Sequence, residues 1–297
     1  MNLKAIREKL FILSQTSLEE AILLVSRSLS GRTGKDERPY DEFVFADTLS
    51  YIISVGGYSI KEGNTNKISF VNSLNQEIVF SLRRKTTDFH IFNQTFRTNE
   101  YQQLIKLAND LKLPENLIIV DAGSNVGCTP IWFSCVFPKS RIFSLEIEQG
   151  NFEQLQRNIQ INSKEEQITP LCLALWHKSE ELVISDSFRD GREYAFSVEL
   201  PNRQETTQSK AVQGISTKEL RNKFGIEQIH ILKIDIEGAE KFLLEELDTA
   251  SETLESVHLL ALEIHDDVVS RPLIEANLDR LGFRWFNDQE TLFAFRQ

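Results

Sequence analysis

An apolar strand pattern runs into an acid and a glycine-rich turn in Ile118-Ile119-Val120-Asp121-Ala122-Gly123-Ser124-Asn125-Val126-Gly127. Gly123 and Gly127 allow the backbone to approach a ligand without a clash from a Cβ atom. In an open α/β sheet, ligands bind at the carboxyl ends of strands, next to the point where the strand order reverses. We therefore predict that Asp121 and the turn after it form a ligand site at the end of a buried strand.

Around this segment, strand and helix patterns alternate from residue 117 onward. The predicted strands are 117–120, 142–145, 171–175, 229–234 and 257–264, and the predicted helices are 130–136, 151–161, 239–247 and 273–281. A final hairpin of 283–286 and 292–295 is expected to turn at Asn287-Asp288. Fully apolar strands that alternate with helices indicate an α/β fold with a parallel sheet covered on both faces.

The residues before 117 follow different patterns. Helical spacing predicts helices within residues 1–30, and a polar, turn-rich composition predicts a loop over 30–42. Period-two alternation over 43–97 predicts a small antiparallel β unit, and 99–111 reads as a helix. The sheet is therefore expected to carry an N-terminal helical and small β extension.

Composition narrows the possible partners and location. The chain has 297 residues, with 33 Lys and Arg against 44 Asp and Glu, and a formal net charge of −11. A chain this acidic is a poor candidate for binding nucleic acid, because phosphates need a basic surface. No apolar run is long enough for a transmembrane helix. The three cysteines, Cys128, Cys135 and Cys172, show no C-x-x-C spacing, which indicates reduced thiols in a cytoplasmic protein.

The glycine spacing indicates which ligand the turn accepts. G-x-x-x-G differs from the dinucleotide fingerprint G-x-G-x-x-G, which disfavours a nicotinamide-dependent oxidoreductase. An acid before the glycines suits a cationic ligand, and S-adenosylmethionine (SAM) carries a sulfonium and an ammonium group that Asp121 can meet. Glu146 ends the next strand, where a carboxylate can accept both hydroxyls of a ribose. A plain strand-to-helix turn remains the alternative interpretation.

A second group of polar residues follows the fourth and fifth strands. Leu232-Lys233-Ile234-Asp235-Ile236-Glu237-Gly238-Ala239-Glu240 and Glu263-Ile264-His265-Asp266-Asp267 would share one crevice if these strands are neighbours. His265 is our first candidate for a general base and Asp235 the second. Asp235 with Asp266 or Asp267 could instead hold Mg²⁺, which we do not favour. A set of helix caps and salt bridges is the alternative.

At this point the sequence resembles the FkbM family of SAM-dependent methyltransferases. Three segments carry the resemblance: Val120–Gly127, Leu232–Glu240 and Leu262–His265. The approach segment Asp88–Phe92 with Glu100-Tyr101 is also similar. The resemblance covers about residues 85–297 and implies a methyltransferase domain there, with residues 1–84 as a separate extension.

The resemblance implies a Rossmann-like class I methyltransferase sheet of seven strands, the last one antiparallel. It implies methyl transfer from SAM, usually to a hydroxyl oxygen of a saccharide, glycolipid or natural product. Carried over by position, the implied cofactor-binding residues are Asp121, Gly123, Ser124, Asn125, Gly127, Glu146 and Glu100. The implied catalytic residues are Asp235 and Glu237, facing the methyl group, and Glu263 and His265, facing the acceptor.

Two positions depart from the family pattern. Glu146 is followed by Ile147-Glu148, where the family usually has a proline, and Cys128 stands where an aromatic residue is common. A different hypothesis is a non-catalytic binding or assembly module whose working surface is residues 1–84. That region could also form a homodimer. The insertion 176–214, with Arg189, Arg192 and Arg203, is expected near the acceptor side.

Overall fold

A computed structural model describes residues 40–185, 197–199 and 210–296 of the chain. The helices predicted within 1–30 and the three insertion arginines lie outside these residues. The chain divides into two compact units, residues 1–98 with 160–162 and residues 99–159 with 163–297. The domain boundary expected at residue 84 stays a prediction.

The described part of the first unit combines one longer helix with a small sheet. Its elements are α1 (Tyr40–Ser54), β1 (Tyr58–Glu62), β2 (Thr65–Val71), β3 (Glu77–Arg83), α2 (Asp88–Phe92) and a π-helical turn (Asn93–Arg97). The three strands pair antiparallel in the order β1-β2-β3, which confirms the β unit over 58–83. The prediction was wrong for the residues of α1, because buried Phe45, Leu49 and Ile52 recur at helical spacing.

Aromatic rings fill the core of this first unit. Phe92 and Phe96 stack with ring centroids 5.2 Å apart, and the ring of Phe70 packs edge-on against both at 5.3 Å. Asp88 is fully buried, and its carboxylate accepts hydrogen bonds from the backbone N–H and the guanidinium of Arg83. Within this unit Asp88 therefore joins α2 to the end of β3.

The second unit contains the predicted α/β sheet. Its first half comprises α3 (Gln102–Asp110), β4 (Ile118–Ala122), α4 (Cys128–Val136), β5 (Arg141–Leu145), α5 (Gln149–Ile161), β6 (Ile168–Leu171), β7 (Ala174–Leu175), β8 (Glu181–Ser185) and β9 (Ser197–Glu199). The remainder comprises β10 (Ala211–Ile215), α6 (Thr217–Phe224), β11 (Ile229–Ile234), α7 (Glu240–Leu244), α8 (Leu247–Leu254), β12 (Val257–Glu263), α9 (Arg271–Arg280), β13 (Arg284–Asp288) and β14 (Thr291–Phe295).

Seven strands form the main sheet in the order β13-β14-β12-β11-β4-β5-β6. The pairs from β12 to β6 are parallel, whereas β14 pairs antiparallel with both β12 and β13. This order confirms the predicted Rossmann-like class I methyltransferase sheet with an antiparallel last strand. The chain moves outward from β4 to β6 and then crosses to β11, so the strand order reverses between β4 and β11.

The predicted third strand, 171–175, was wrong as one element. Its residues are divided between β6 of the main sheet and β7 of a second sheet, in the order β7-β10-β8-β9. Cys172 between them is exposed, whereas Trp176 is buried with Leu182, Val212 and Ala239 in a small core of its own. The apolar run therefore continues because Leu171, Leu173 and Leu175 pack in the main core while Ala174 and Trp176 belong to the small one.

Two further boundaries differ from the sequence prediction. The expected helix 239–247 is the short α7 followed by a separate α8. The hairpin turns at Gln289-Glu290 and not at Asn287-Asp288, because Asp288 still pairs with Thr291 and Gln289 adopts a left-handed backbone with φ +56°. Among the described residues, no helix combines the length and apolar composition needed to cross a membrane.

Candidate active site

A buried ion pair lies beneath the glycine turn at the end of β4. Asp121 has no exposed surface, and Lys233 on the neighbouring β11 is 2% exposed. The Lys233 ammonium lies 3.4 Å from Asp121 Oδ1 and 3.3 Å from Asp235 Oδ2, and it donates hydrogen bonds to the carbonyl oxygens of Ala122 and Gly123. Lys233 therefore joins the acids of two strand ends and fixes the turn between them.

The Asp121 carboxylate and the Lys233 ammonium each stabilise the charged form of the other. Burial raises the pKa of Asp121, while Lys233 and the hydroxyl of Ser124, which donates to Asp121 Oδ2 at 2.7 Å, oppose that rise. Burial alone would lower the pKa of Lys233, but Asp235 and Asp121 outweigh it and raise that pKa above its ordinary value. Lys233 is therefore a charged residue inside a sheet. The sequence analysis assigned it no role, although a lone charge in an otherwise apolar strand is a usable signal.

The two glycines of the turn are required by space as well as by backbone conformation. Gly123 has φ +79°, and a Cβ there would lie 1.7 Å from the carbonyl oxygen of Asp235. Gly127 has φ +91°, and a Cβ there would lie 2.8 Å from Cδ1 of Leu155. The turn thus brings the ends of β4 and β11 into direct backbone contact, which Asp235 N–H extends by donating to the carbonyl of Ala122.

Glu146 is brought against the same turn from the end of β5. Its Oε2 accepts a hydrogen bond from Asn125 N–H at 2.7 Å, and its Oε1 accepts one from Glu148 N–H at 2.8 Å. Burial raises the pKa of Glu146 to about 7, although these two amides counteract the rise. Each carboxylate oxygen keeps a further lone pair for a ligand hydroxyl.

The polar residues at the ends of β11 and β12 converge as the sequence predicts. His265 lies at the centre, with Nδ1 3.1 Å from Glu240 Oε1 and Nε2 3.3 Å from Glu237 Oε2. The same Nε2 is 3.8 Å from Glu263 Oε1 and 4.0 Å from Asp235 Oδ1. Four carboxylates therefore surround one imidazole ring.

Glu240 is a member of this cluster that the sequence analysis did not select. It is fully buried in the first turn of α7, and its Oε1 also accepts the N–H of Ile236 at 2.9 Å. Its signal in the sequence is the second acid of Glu237-Gly238-Ala239-Glu240. Glu237 adopts a left-handed backbone with φ +55°, a conformation that costs a non-glycine residue about 1–3 kcal/mol and that clusters at functional sites.

The acids around His265 determine its protonation. Burial alone would lower the pKa of His265, but Glu237, Glu240 and Asp235 raise it to about 11. Burial, together with Asp235, raises the pKa of Glu263 to about 9, while His265 opposes that rise. In this arrangement the ring carries a proton on each nitrogen and faces a carboxylate on each side.

Two other predicted residues have different surroundings. Glu100 is nearly buried at the start of the second unit, and its Oε1 accepts a hydrogen bond from the hydroxyl of Thr291 at 2.8 Å. Burial raises the pKa of Glu100 to about 7. Asp266, which the sequence offered with Asp235 only as part of an unfavoured Mg²⁺ alternative, accepts hydrogen bonds from the guanidinium of Arg271, the shortest at 2.6 Å.

The residues present fit SAM on the evidence of this arrangement. Asp121 Oδ1 is a buried carboxylate oxygen that accepts no hydrogen bond from the described residues, and it lies under a turn in which a side chain on Gly123 has no room. Glu146 presents a second carboxylate on the other side of that turn. Two buried carboxylates thus flank the glycine turn, where they could meet a cationic group and ribose hydroxyls of a bound ligand.

Comparisons with known proteins agree with this geometry. A family model described as "Methyltransferase FkbM domain" matches residues 121–285. The curated protein "Methyltransferase sdnD" of Sordaria araneosa is 25% identical over 217 residues, which cover 62% of this chain and 83% of that protein.

Among solved structures, the chain is similar to a precorrin-6y C5,15-methyltransferase from Geobacter metallireducens, with 14% identity and a TM-score of 0.38, covering 66% of this chain and 89% of that one. It is also similar to a putative caffeoyl-CoA O-methyltransferase from Staphylococcus aureus, with 11% identity and a TM-score of 0.38, covering 67% and 82%. Because both TM-scores are low, the fold assignment rests on the strand order. The match of the family model over the turn, both strand ends and the central crevice shows that the chain belongs to the FkbM family of SAM-dependent methyltransferases.

Proposed function

We propose that this methyltransferase acts on a hydroxyl oxygen of a small acceptor, such as a saccharide, a glycolipid or a natural-product metabolite. The observation that carries the proposal is the position of Asp235 and Glu263. They end neighbouring strands beside the glycine turn, and their side chains are 26% and 22% exposed. An acceptor entering the crevice would therefore meet the Asp235 carboxylate, which can bind and deprotonate a hydroxyl, beside the carboxyl group of Glu263, which can bind one.

The donor side of the proposal assigns binding to Asp121, Gly123, Ser124, Asn125 and Gly127, which form the turn, with Glu146 as the ribose acceptor. When bound, SAM supplies a methyl group on a sulfonium centre that is already a good leaving group. The residues of the turn therefore need only to hold and orient the donor. Positioning of this kind can offset about 7–11 kcal/mol of a reaction barrier.

Deprotonation of the acceptor is the second task, and the geometry favours Asp235 for it. The sequence analysis ranks His265 before Asp235 as the general base. The His265 side chain, however, is only 1% exposed, and both of its nitrogens face carboxylates. Asp235 is the more exposed of the two and is held by Lys233. We propose that Asp235 promotes loss of the hydroxyl proton while His265 holds the surrounding acids in position.

Location and assembly are also proposals. A cytoplasmic location is supported by the three cysteines, which are all free thiols. Dimerisation through the N-terminal region stays a prediction, because residues 1–39 lie outside the described residues.

Methyl transfer from radiolabelled SAM to a panel of hydroxylated acceptors tests the proposed reaction. Asp235→Asn is expected to lower turnover about 10²- to 10⁴-fold, the usual contribution of a general base. SAM affinity, measured by calorimetric titration with NAD as a parallel ligand, should change little. The matched control is Asp266→Asn, because Asp266 is bound to Arg271 on the same edge and has no proposed role.

Two outcomes would contradict the proposed function. If SAM does not bind to the full chain, the pocket has another purpose, and a binding or assembly module becomes the better hypothesis. If SAM binds and amines or thiols are methylated while hydroxyls are not, the acceptor class is wrong.

A further inference from the structure

Three side chains with the chemistry of metal ligands converge beside the donor turn. Asp235, Glu263 and His265 each offer one ligand atom, and these atoms all lie within 4.8 Å of one another. Asp235 follows β11 and Glu263 ends β12, two strands paired in register, so the spacing is set by the sheet itself. The group combines two oxygens and one nitrogen, which distinguishes it from an ordinary cluster of acids.

The orientation of His265 is fixed by a buried partner. Glu240 is fully buried, and its Oε1 lies 3.1 Å from Nδ1 of the ring. A carboxylate only accepts hydrogen bonds, so Nδ1 carries a proton and Nε2 is turned toward the crevice. Histidines that bind metals almost always donate their other nitrogen to a carboxylate or carbonyl in this way.

The atoms around Nε2 indicate that a positive centre belongs there. Its neighbours are oxygens of Glu237 at 3.3 Å, Glu263 at 3.8 Å and Asp235 at 4.0 Å. A proton on Nε2 can bond to Glu237, but the other two distances are too long for a hydrogen bond. An ion placed among the ring and the two more distant acids would displace the proton on Nε2 and contact all three.

We infer that Asp235, Glu263 and His265 form a divalent metal site in the acceptor crevice, with Glu240 as the residue that positions the histidine. This inference rests on the proposed function, since the ion would bind the acceptor hydroxyl. The ligand set differs from the Mg²⁺ alternative that the sequence analysis did not favour, because Asp266 is bound to Arg271. A ring nitrogen with two carboxylates suits Mn²⁺, Fe²⁺ or Zn²⁺ better than Mg²⁺.

The ligand atoms, which lie within 4.8 Å of one another, would move closer together to bind such an ion. Zinc–ligand distances of about 2.0–2.2 Å place neighbouring ligand atoms about 3.4 Å apart in a tetrahedral site. The present distances of 3.8 and 4.0 Å from Nε2 are close to that value. Three protein ligands leave a coordination position open, as in catalytic zinc sites, and Asp235 and Glu263 are both partly exposed there.

The ion would change how the acceptor is deprotonated. A hydroxyl bound at the open position has a lowered pKa, so its proton can leave to solvent while Asp235 stays a ligand. The oxygen–methyl bond forms as the methyl–sulfur bond of SAM breaks, and no other reactant is needed. Under this inference Asp235 acts through the ion and not by taking the proton itself.

Metal binding by the full chain tests the inference directly. Protein freed of metal with a chelator is titrated with Mn²⁺ and, separately, with Zn²⁺, with electron paramagnetic resonance following bound Mn²⁺. We expect stoichiometric binding and a nitrogen coupling from His265. Glu263→Gln and Asp235→Asn should weaken binding at least tenfold, and Glu240→Gln should weaken it about 10- to 100-fold, the usual effect of losing a residue that orients a ligand.

Asp266→Asn is the matched control and should bind Mn²⁺ like the wild type. The inference is overturned if neither ion binds stoichiometrically, if Mn²⁺ shows no nitrogen coupling, or if Asp266→Asn weakens binding as much as Glu263→Gln. Thermal unfolding of each variant shows whether it is folded, and a variant that is not folded is replaced by Glu263→Asp, for which weaker but measurable binding is expected.

A SAM titration of the same metal-free protein separates this inference from the proposed function. If SAM binds and hydroxyls are methylated equally with and without ions, the metal site is wrong and the methyltransferase proposal stands. If Mn²⁺ binds but no hydroxyl is methylated in its presence, the proposed acceptor class is wrong while the metal site stands.

Discussion

The donor end and the acceptor end of the crevice are both built from buried or partly buried charged side chains, but they differ in net charge. At the donor end, Asp121 is paired with Lys233, and its remaining contacts are to the turn that it supports. At the acceptor end, four carboxylates surround His265. The first arrangement is close to neutral, and the second carries an excess of negative charge.

This difference indicates that one end binds the donor and that the other takes part in the reaction. A neutral, buried pair under a rigid turn gives a fixed surface against which a charged donor can bind. An excess of acids in a partly exposed crevice is unfavourable by itself, and such groups are characteristic of sites that move protons or bind cations. Lys233 contacts an acid of each end, so it links the charge of the donor end to the charge of the acceptor end.

Removal of Lys233 should have the largest effect, because this side chain is paired with an acid at both ends of the crevice. Lys233→Met leaves Asp121 charged and buried without its partner, which is expected to lower the free energy of unfolding by about 3–5 kcal/mol. Urea unfolding of the two proteins measures this difference. Lys139→Met is the control, because Lys139 and its partner Glu115 are both exposed, and its unfolding should match the wild type.

The double variant Lys233→Met/Asp121→Asn refines this result. Removing the unpaired charge should recover part of the lost stability, because the fully buried side chain at position 121 is then neutral, whereas Asp235 is partly exposed. A Lys233→Met protein as stable as the wild type would show that Asp121 is not charged in the folded chain.

Substitution of Gly123 tests whether the donor end depends on close backbone contact. Gly123→Ala places a methyl group against the carbonyl of Asp235, so we expect SAM affinity to fall at least tenfold, or about 1.4 kcal/mol. Gly282→Ala is a matched control, with φ +76° and nothing within 4 Å of the added atom. It should lose only the cost of a left-handed alanine, about 1–2 kcal/mol of stability, and bind SAM normally. Equal SAM affinity in both variants would contradict the close-contact argument.

Titration of Glu146 should give a smaller effect, a pH dependence of SAM affinity that arises at the donor end. Its pKa of about 7 is raised from 4.5 by burial, so the carboxylate becomes protonated as pH falls through 7 and accepts fewer bonds from a ribose. SAM affinity should therefore decrease from pH 8 to pH 6. Because the folded pKa is the higher one, the contribution of Glu146 to stability is greatest below about 4.5 and declines as pH rises to about 7.

Glu146→Gln is the variant that isolates this titration. The charged or titratable groups that face Glu146 are Glu148, Lys233 and Cys172, and Glu100 titrates near the same pH elsewhere in the unit. Calorimetric SAM titration over this pH range should lose its slope in Glu146→Gln. A slope that persists unchanged would assign the pH dependence to another group, such as Glu100.

Much of the second unit could be predicted from the sequence because its signals are local. The apolar strands and the acid and glycines at the end of β4 were predicted. The structure also brings Asp235, Glu237 and Glu263 to His265, as predicted, whereas Asp266 binds Arg271 instead. Period alone could not separate β6 from β7, since an apolar run looks the same whether it enters one core or two. α1 was predictable from the helical spacing of Phe45, Leu49 and Ile52, but the period-two pattern of the strands after it was extended over these residues.

The missing parts of the site depend on contacts between distant segments. Asp266 and Asp235 have equal claims as ligands in the sequence, and only the fold brings Arg271 to one of them. The role of Glu240 requires α7 to begin beside His265, 25 residues later in the chain. Lys233 is identified by the two carbonyls and two acids that converge on it from separate loops.

The placement of β14 between β12 and β13 has a consequence for synthesis on the ribosome. β13 leaves the ribosome before β14, yet its only partner in the sheet is β14. Until β14 emerges, β12 is an open edge of apolar residues, the kind of edge that pairs with other chains. Premature termination just before Thr291 would therefore remove β14, leave β13 without its partner and remove the hydroxyl that binds Glu100, so the shortened chain would lack this contact and be prone to association.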